Sequence, residues 1–196
     1  MARRVDKSIE VNVPVGTAYN QWTQFEEFPR FMEGVEYVHQ IEGERLFWMA
    51  NVAGELKEWY ARITRQVPDE VIAWKSEGGA VNSGTVIFKP LDEGRTEIEL
   101  HMEYDPEDFK EKAGGALGFV SRRVEADLER FKEFIEERGM ETGAWRDEII
   151  HGAHRPVAPY EDSIDQPPRD QIRHDISGLD VRLPNMAGGP DTGTKK

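Results

Sequence analysis

The sequence LGFVSRRVEADLERFKEFIEER, residues 117–138, predicts the element around which the rest of the chain folds. Its apolar residues recur at alternating steps of three and four, which places them on one side of an α-helix, and charged residues cover the other side. The apolar stripe consists of Leu117, Val120, Val124, Leu128, Phe131 and Ile135. Each such side chain contributes about 1.5–3 kcal/mol when it leaves water, so the helix needs a wide apolar partner.

The part of the chain before this helix supplies the partner as a series of strands. Apolar and polar residues alternate in short segments between residues 4 and 104, and turn residues separate the segments. Short turns between successive strands indicate an antiparallel sheet. After the first strand, Pro14 and an aromatic segment up to Met32 predict two short helices. The predicted fold class is α+β, with a curved antiparallel sheet of about seven strands wrapped around the long C-terminal helix.

The composition limits the classes of partner. The chain has 196 residues, a net charge of −13 and a pI near 4.9. This acidity disfavours nucleic acids and anionic membrane surfaces, since both require clustered Lys and Arg. The chain contains no cysteine, which excludes disulfides and suits a cytoplasmic location. No signal peptide or membrane-spanning segment is recognised, so stable membrane insertion is not expected.

Two regions of different composition divide the chain. Residues 1–140 contain the sheet and helix patterns and are predicted to form one domain. Residues 141–196 are rich in Pro, Gly and Asp and are predicted to be a largely disordered tail. Within that tail, Trp145, Ile149 and Ile150 are the residues that would extend the ordered part by docking on the domain.

A set of inward-facing residues predicts where a ligand would bind. The alternation of the strands and the stripe of the helix place eight residues between sheet and helix: Trp59, Trp74, Phe88, Met102, Tyr104, Val120, Val124 and Leu128. Apolar walls with a few polar groups are typical of pockets for small apolar molecules. The same residues would also make a filled core, so the pattern leaves cavity and core as alternatives.

Three residues are the candidates for acid–base chemistry. The alternation of Val35, Tyr37, His39 and Ile41 places His39 and Tyr37 on the apolar face, where an imidazole beside a phenol would act on a bound carbonyl compound. Arg65 has inward parity near the end of its strand and would meet an anionic group at the rim. A hydrogen-bonded structural histidine is the alternative interpretation of His39.

No metal or cofactor site is predicted. His151, His154 and His174 lie in the tail without cysteines or a defined helix, which is not the setting of a zinc site. Gly114, Gly115 and Gly118 precede a helix but do not follow a strand, so the nucleotide-binding fingerprints are not met.

Three strings resemble the polyketide cyclase/dehydrase and coenzyme-Q-binding branch of the START-like superfamily, also called SRPBCC. They are IEVNVPVGTAYNQWTQFEEFPRFMEGVEYV (residues 9–38), WKSEGGAVNSGTVIF (residues 74–88) and DLERFKEFIEER (residues 127–138). The resemblance implies a helix-grip fold, in which a seven-stranded sheet curls around the C-terminal helix and encloses an apolar cavity. Relatives include lipid carriers, quinone-binding proteins and aromatic cyclases, so fold does not settle function.

The resemblance and the residues together favour a protein that binds a small apolar molecule such as a lipid, an isoprenoid or a quinone. An aromatic polyketide cyclase or dehydratase that uses His39, Tyr37 or Arg65 is the second hypothesis. A protein-interaction module that binds its partner through the acidic surface or the tail is the third.

Overall fold

One antiparallel sheet of nine strands dominates the computed structural model, which describes residues 2–52, 54–109 and 118–156. Seven strands follow one another across the sheet in the order β1-β7-β6-β5-β4-β3-β2. Their bounds are β1 Arg3–Val11, β2 Val35–Glu42, β3 Arg45–Val52, β4 Glu55–Val67, β5 Val71–Gly79, β6 Asn82–Asp92 and β7 Arg95–Tyr104. The sheet is curved and not closed, and a long helix follows it, so the predicted helix-grip fold is confirmed.

Two short helices follow β1, as the sequence predicts. Helix α1 spans Val15–Trp22 and begins after Pro14, and a 3₁₀ helix spans Phe25–Arg30. Their aromatic side chains pack edge to face, and Trp22 meets the long helix at Phe131 with ring centroids 4.7 Å apart. This aromatic corner fixes one end of the long helix against the sheet.

The long helix, α2, spans Phe119–Arg138. It ends at Gly139, whose left-handed backbone (φ 68°) lets its N–H bond to the carbonyl of Ile135 without a side-chain clash. Val120, Leu128, Phe131 and Ile135 of the predicted stripe are buried, and Val124 is half-buried. Leu117, where the sequence predicts the helix to begin, lies outside the described residues. The stripe therefore packs as the alternating steps of three and four indicate.

The packed structure continues beyond residue 140, where the sequence places the end of the domain. Strand β8 (Glu148–Ile150) pairs with β4 at Arg65 and Gln66, and with β9 (Ala153–Arg155). Strand β4 is longer than its neighbour β3, and the pairing of the two strands ends at Arg62. Without β8, the backbone of Arg65 and Gln66 would form an open edge of the sheet. Buried Ile149 adds apolar contact, and Arg146 forms an ion pair with Asp69 at 2.6 Å. Residues 157–196 of the predicted disordered tail lie outside the described residues.

Candidate functional site

An apolar cavity of about 180 Å³ lies between the inner face of the sheet and α2. Its sheet wall is formed by side chains of β3 to β7, and its helix wall by Val120, Val124 and Leu128. Trp22, Phe25 and Phe28 from the aromatic corner also line it. The curved sheet and α2 leave this apolar space between them, and small apolar ligands bind in spaces of this kind.

Tryptophan side chains make up much of the sheet wall. Trp48 and Trp59 from neighbouring strands stack with ring centroids 5.6 Å apart and an interplanar angle of 11°. Trp74 lies across from them and donates its indole N–H to the side-chain oxygen of Asn82 at 3.0 Å. The backbone of β6 lies close to Trp74 at Gly84, where a Cβ atom would lie 2.7 Å from the carbonyl oxygen of His101 and closer still to two ring carbons of Trp74. Only glycine fits beneath this ring.

Six of the eight residues predicted to bind a ligand line the cavity, and two do not. Trp59, Trp74, Met102, Val120, Val124 and Leu128 are part of its wall. Phe88 instead packs edge to face on Tyr19, with centroids 5.5 Å apart, and Tyr104 packs on Phe109 at 5.5 Å. Both are buried and have the inward parity that the sequence indicates, but they belong to the filled core on either side of the cavity.

The structure places His39 and Tyr37 outside the cavity, so the predicted inward orientation of these two residues is wrong. Val35 pairs with Ala50 and Tyr37 pairs with the adjacent Met49, which leaves one extra residue in β2. This β-bulge reverses the parity of the strand after Val35. The side chain of His39 is 51% exposed and lies 2.7 Å from the carboxylate of Glu26, and Tyr37 is 45% exposed.

A second bulge explains the position of Arg65. In β4, Ile63 pairs with Trp74 and Arg65 pairs with the adjacent Ala73, so Thr64 is the extra residue. The alternation that would bring Arg65 inward brings Gln66 inward instead, and Arg65 is exposed. Tyr37 and His39 stack on each other with ring centroids 5.9 Å apart, but none of the three residues proposed for acid–base chemistry lines the cavity.

Four polar residues that line the cavity gather at one end, which we call the cavity mouth and define as Glu33, Asn51, Arg123 and Asp127. The guanidinium of Arg123 donates to the carbonyl oxygen of Glu33, and the backbone N–H of Glu33 donates to Asp127 Oδ1 at 3.0 Å. The N–H of Asn51 donates to the carbonyl of Gly34 at 2.6 Å. Glu33 itself is largely exposed, so this end of the cavity faces solvent.

Asp127 is a half-buried acid within this mouth. Its side chain is 18% exposed, and Oδ1 accepts hydrogen bonds from the Glu33 N–H and from Arg130. Burial nevertheless raises the pKa of the Asp127 carboxyl above its usual value, because desolvation outweighs these two hydrogen bonds and the nearby positive charges of Arg130 and Arg123. The cavity thus contains a carboxyl group whose charged form is not fully stabilised by its surroundings.

Sequence reasoning missed Trp48 and all four residues of the cavity mouth. Strand β3 has apolar residues on both faces, so the pattern did not indicate which face Trp48 takes. Its parity with Leu46 and Ala50, both buried, is the signal that would have found it. The mouth residues are far apart in sequence and meet only when α2 crosses the segment before β2.

Within 2–52, 54–109 and 118–156, no group of three His, Cys, Asp or Glu side chains is placed to hold a metal ion. No helix in the same parts of the chain is both long and apolar enough to cross a membrane.

Comparisons with known proteins agree with this geometry. Residues 11–133 match the family described as polyketide cyclase/dehydrase and lipid transport. The chain is 53% identical over 148 residues to an uncharacterized 17.2 kDa protein encoded in the melC2-rnhH intergenic region of Streptomyces lincolnensis, and the match covers 75% of this chain and 99% of that protein.

Solved structures show the same fold at lower identity. The Zhui aromatase/cyclase from Streptomyces sp. R1128 superposes with a TM-score of 0.59 and 21% identity over 74% of this chain and 100% of that one. A Deinococcus radiodurans protein superposes with a TM-score of 0.55 and 25% sequence identity, over 69% of this chain and 99% of that one. A START superfamily protein from Mycobacterium smegmatis superposes with a TM-score of 0.55 and 15% sequence identity, over 69% of this chain and 95% of that one.

Proposed function

Because the chain belongs to the polyketide cyclase/dehydrase and lipid transport family, we propose that it binds a small apolar molecule in the cavity between the sheet and α2. The observation that carries the proposal is the cavity itself. An apolar space walled by three tryptophans and by the apolar stripe of α2 lacks contacts that a filled core would make. Filling it with an apolar ligand restores those contacts and removes the ligand from water.

The volume of the cavity favours a compact ligand. An engineered protein cavity of about 150 Å³ holds benzene, whereas sites for drug-sized ligands measure about 300–1,000 Å³. A cavity of about 180 Å³ therefore suits one ring or a small fused ring system. Among lipid, isoprenoid and quinone-like molecules, the ring of a quinone-like molecule fits this space best. A long chain would have to extend through the cavity mouth.

Calorimetric titration with 4-ethyltoluene, a compact apolar ring, tests the proposal. Val124 lines the cavity from α2, so Val124→Trp places an indole in the space and should weaken binding by about tenfold or more. Glu129→Trp adds the same side chain to the exposed side of the same helix and should leave the affinity unchanged. A folded wild-type protein that shows no binding, or equal binding by both variants, would remove the cavity from consideration.

A cyclase or dehydratase is the second candidate, and one observation favours it. Asp127 lines the cavity with a raised pKa, and perturbed acids in clefts are typical of acid–base sites. His39, Tyr37 and Arg65 give this candidate no support, since they lie outside the cavity. Turnover of an aromatic polyketide substrate that is lost in Asp127→Asn, with substrate binding retained, would favour the enzyme over the carrier.

A further inference from the structure

Among the described residues, four of the five Asn, Asp, Glu and Arg side chains that line the cavity lie at its mouth, and this asymmetry indicates the kind of ligand that the cavity takes. We propose that the ligand is a compact ring bearing a hydroxyl group, held at the mouth with its oxygen accepting from Arg123 and its proton donated to Asp127. This inference rests on the proposed function and specifies the ligand class for that same cavity.

Away from the mouth, the described residues that line the cavity offer few polar groups to a ligand. The indole N–H of Trp48 has no hydrogen-bond partner among the described residues, but its nitrogen is almost completely buried and presents little surface to a ligand. Among the described residues, Asn82 is the one Asn, Asp, Glu or Arg that lines the cavity away from the mouth; it is buried, and its side-chain oxygen and nitrogen each already have a partner. Its side-chain oxygen accepts from Trp74 at 3.0 Å, and its side-chain nitrogen donates to the carbonyl of Ala80 at 3.0 Å. A ligand polar group buried there would lose its bonds to water without replacement, which is unfavourable. The apolar part of the ligand therefore lies inside and its polar part at the mouth.

Arg123 and Asp127 lie next to each other at the mouth. They are four residues apart on α2, which places their side chains next to each other on one face of the helix, and both line the cavity. Both are also anchored to the backbone of Glu33, one through its carbonyl and the other through its N–H. The two groups are thus held side by side before any ligand arrives.

Each of the two groups has hydrogen-bonding capacity left over. The hydrogen bonds to Asp127 from described residues all reach Oδ1, which leaves Oδ2 as an acceptor. Arg123 forms no ion pair with any described carboxylate, and its one hydrogen bond within that part of the chain goes to the Glu33 carbonyl. A guanidinium has five N–H donors, so several remain for a ligand.

A hydroxyl is the group that satisfies both residues at once. It accepts through its oxygen and donates through its proton, whereas a carbonyl or ether oxygen offers Asp127 no proton. A ligand carboxylate would attract Arg123 but be repelled by Asp127 and Glu33, and an ammonium would attract Asp127 but be repelled by Arg123, so neither charged group satisfies both residues. Burial raises the pKa of the Asp127 carboxyl, and a hydroxyl donor would supply part of the stabilisation that its charged form lacks.

The test compares ligands that differ only at this group. Calorimetry on the full chain measures the dissociation constants of 4-ethylphenol and of 4-ethyltoluene, in which a methyl group replaces the hydroxyl. We expect 4-ethylphenol to bind about tenfold or more tightly, as a hydrogen bond to charged partners allows. The methyl ether 4-ethylanisole keeps the acceptor but lacks the proton, and it should bind nearer to 4-ethyltoluene.

Substitutions of Arg123 and Asp127 test whether these two residues cause the preference for 4-ethylphenol over 4-ethyltoluene. Asp127→Asn and Arg123→Gln should bring the affinities for 4-ethylphenol and 4-ethyltoluene to within about twofold of each other. Arg122→Gln and Glu129→Gln, on the exposed side of the same helix, should preserve the wild-type ratio. The ratio is the decisive readout, because a merely structural defect weakens both ligands together.

The results distinguish failure of the hydroxyl assignment from failure of the proposed function. Equal binding of 4-ethylphenol and 4-ethyltoluene to the wild type, or an unchanged ratio in both mouth variants, would overturn the hydroxyl assignment and leave the cavity as a binding site. Absence of binding by either ligand to folded wild-type protein would overturn the proposed function, and the hydroxyl assignment with it.

Discussion

Replacing Gly84 by alanine tests the close packing that shapes the tryptophan wall. A Cβ at this position would lie 2.7 Å from the His101 carbonyl oxygen and closer still to the ring of Trp74, whereas carbon atoms in contact prefer about 3.5–4.0 Å. The strand cannot retreat, because Gly84 is paired with Trp74 on one side and with Met102 on the other. Relief of the contact with Trp74 therefore requires its ring to move, and the contact with the His101 carbonyl remains as strain in the paired backbone.

The structure gives the size of the effect. Overpacking of this kind costs about 1–3 kcal/mol, and loss of the hydrogen bond from Trp74 to Asn82 adds about 0.5–1.5 kcal/mol. We expect Gly84→Ala to lower the free energy of unfolding by about 2–4 kcal/mol, and to weaken binding of 4-ethyltoluene because the cavity wall is displaced. Urea denaturation followed by tryptophan fluorescence measures the first effect, and calorimetry the second.

Gly78 provides the matched control. It is also a strand glycine, no neighbouring atom would lie within 4 Å of its Cβ, and its backbone does not need glycine. Gly78→Ala should therefore stay within about 1 kcal/mol of the wild type, on the stabilising side. A change below about 0.5 kcal/mol in Gly84→Ala, or an equal loss in both variants, would refute the role assigned to the Trp74 contact.

Three further predictions concern other parts of the molecule. His39→Gln should leave the affinity for 4-ethyltoluene within about tenfold, since His39 lies outside the cavity, and calorimetry would reveal a larger loss. Ending the chain after Met140 should lower the melting temperature because buried Ile149 is removed, whereas ending it after residue 156 should not. Because the pKa of Asp127 is raised in the folded state, the folded protein keeps a proton on this carboxyl over a pH range in which the unfolded chain has lost it. The contribution of Asp127 to the free energy of unfolding therefore falls as the pH rises above the usual aspartate range. Urea titrations at several pH values should show that the stability of Asp127→Asn relative to the wild type increases as the pH rises.

The sequence predicts best those features that depend on regular periodicity. The stripe of α2 and the alternation of β7 follow from fixed steps along the chain, and the structure buries Leu128, Phe131, Ile98 and Leu100 accordingly. Their regularity also made the fold recognisable, because a helix with one apolar side and an antiparallel sheet can bury their apolar surfaces only against each other.

The candidate site was harder to predict because irregular features decide it. A single extra residue in β2 turns His39 outward, and another in β4 turns Arg65 outward, and no property of either sequence marks the bulge. Parity also cannot separate a residue that lines a void from one that fills the core, as Phe88 and Tyr104 show. The cavity mouth joins residues about ninety positions apart, which periodicity does not reach.

The bonds at the mouth have a consequence for how freely this region can change its sequence. Three side chains of α2 reach across to the segment before β2, and each meets a main-chain atom there: Arg123 the carbonyl of Glu33, Asp127 its N–H, and Arg130 the carbonyl of Phe31 at 2.9 Å. Main-chain atoms are the same for almost every amino acid. The three helix side chains therefore depend on the backbone conformation of this segment and not on which side chain residue 33 carries. Substitutions at the exposed position 33 should leave these hydrogen bonds in place, whereas substitutions of Arg123, Asp127 or Arg130 remove them.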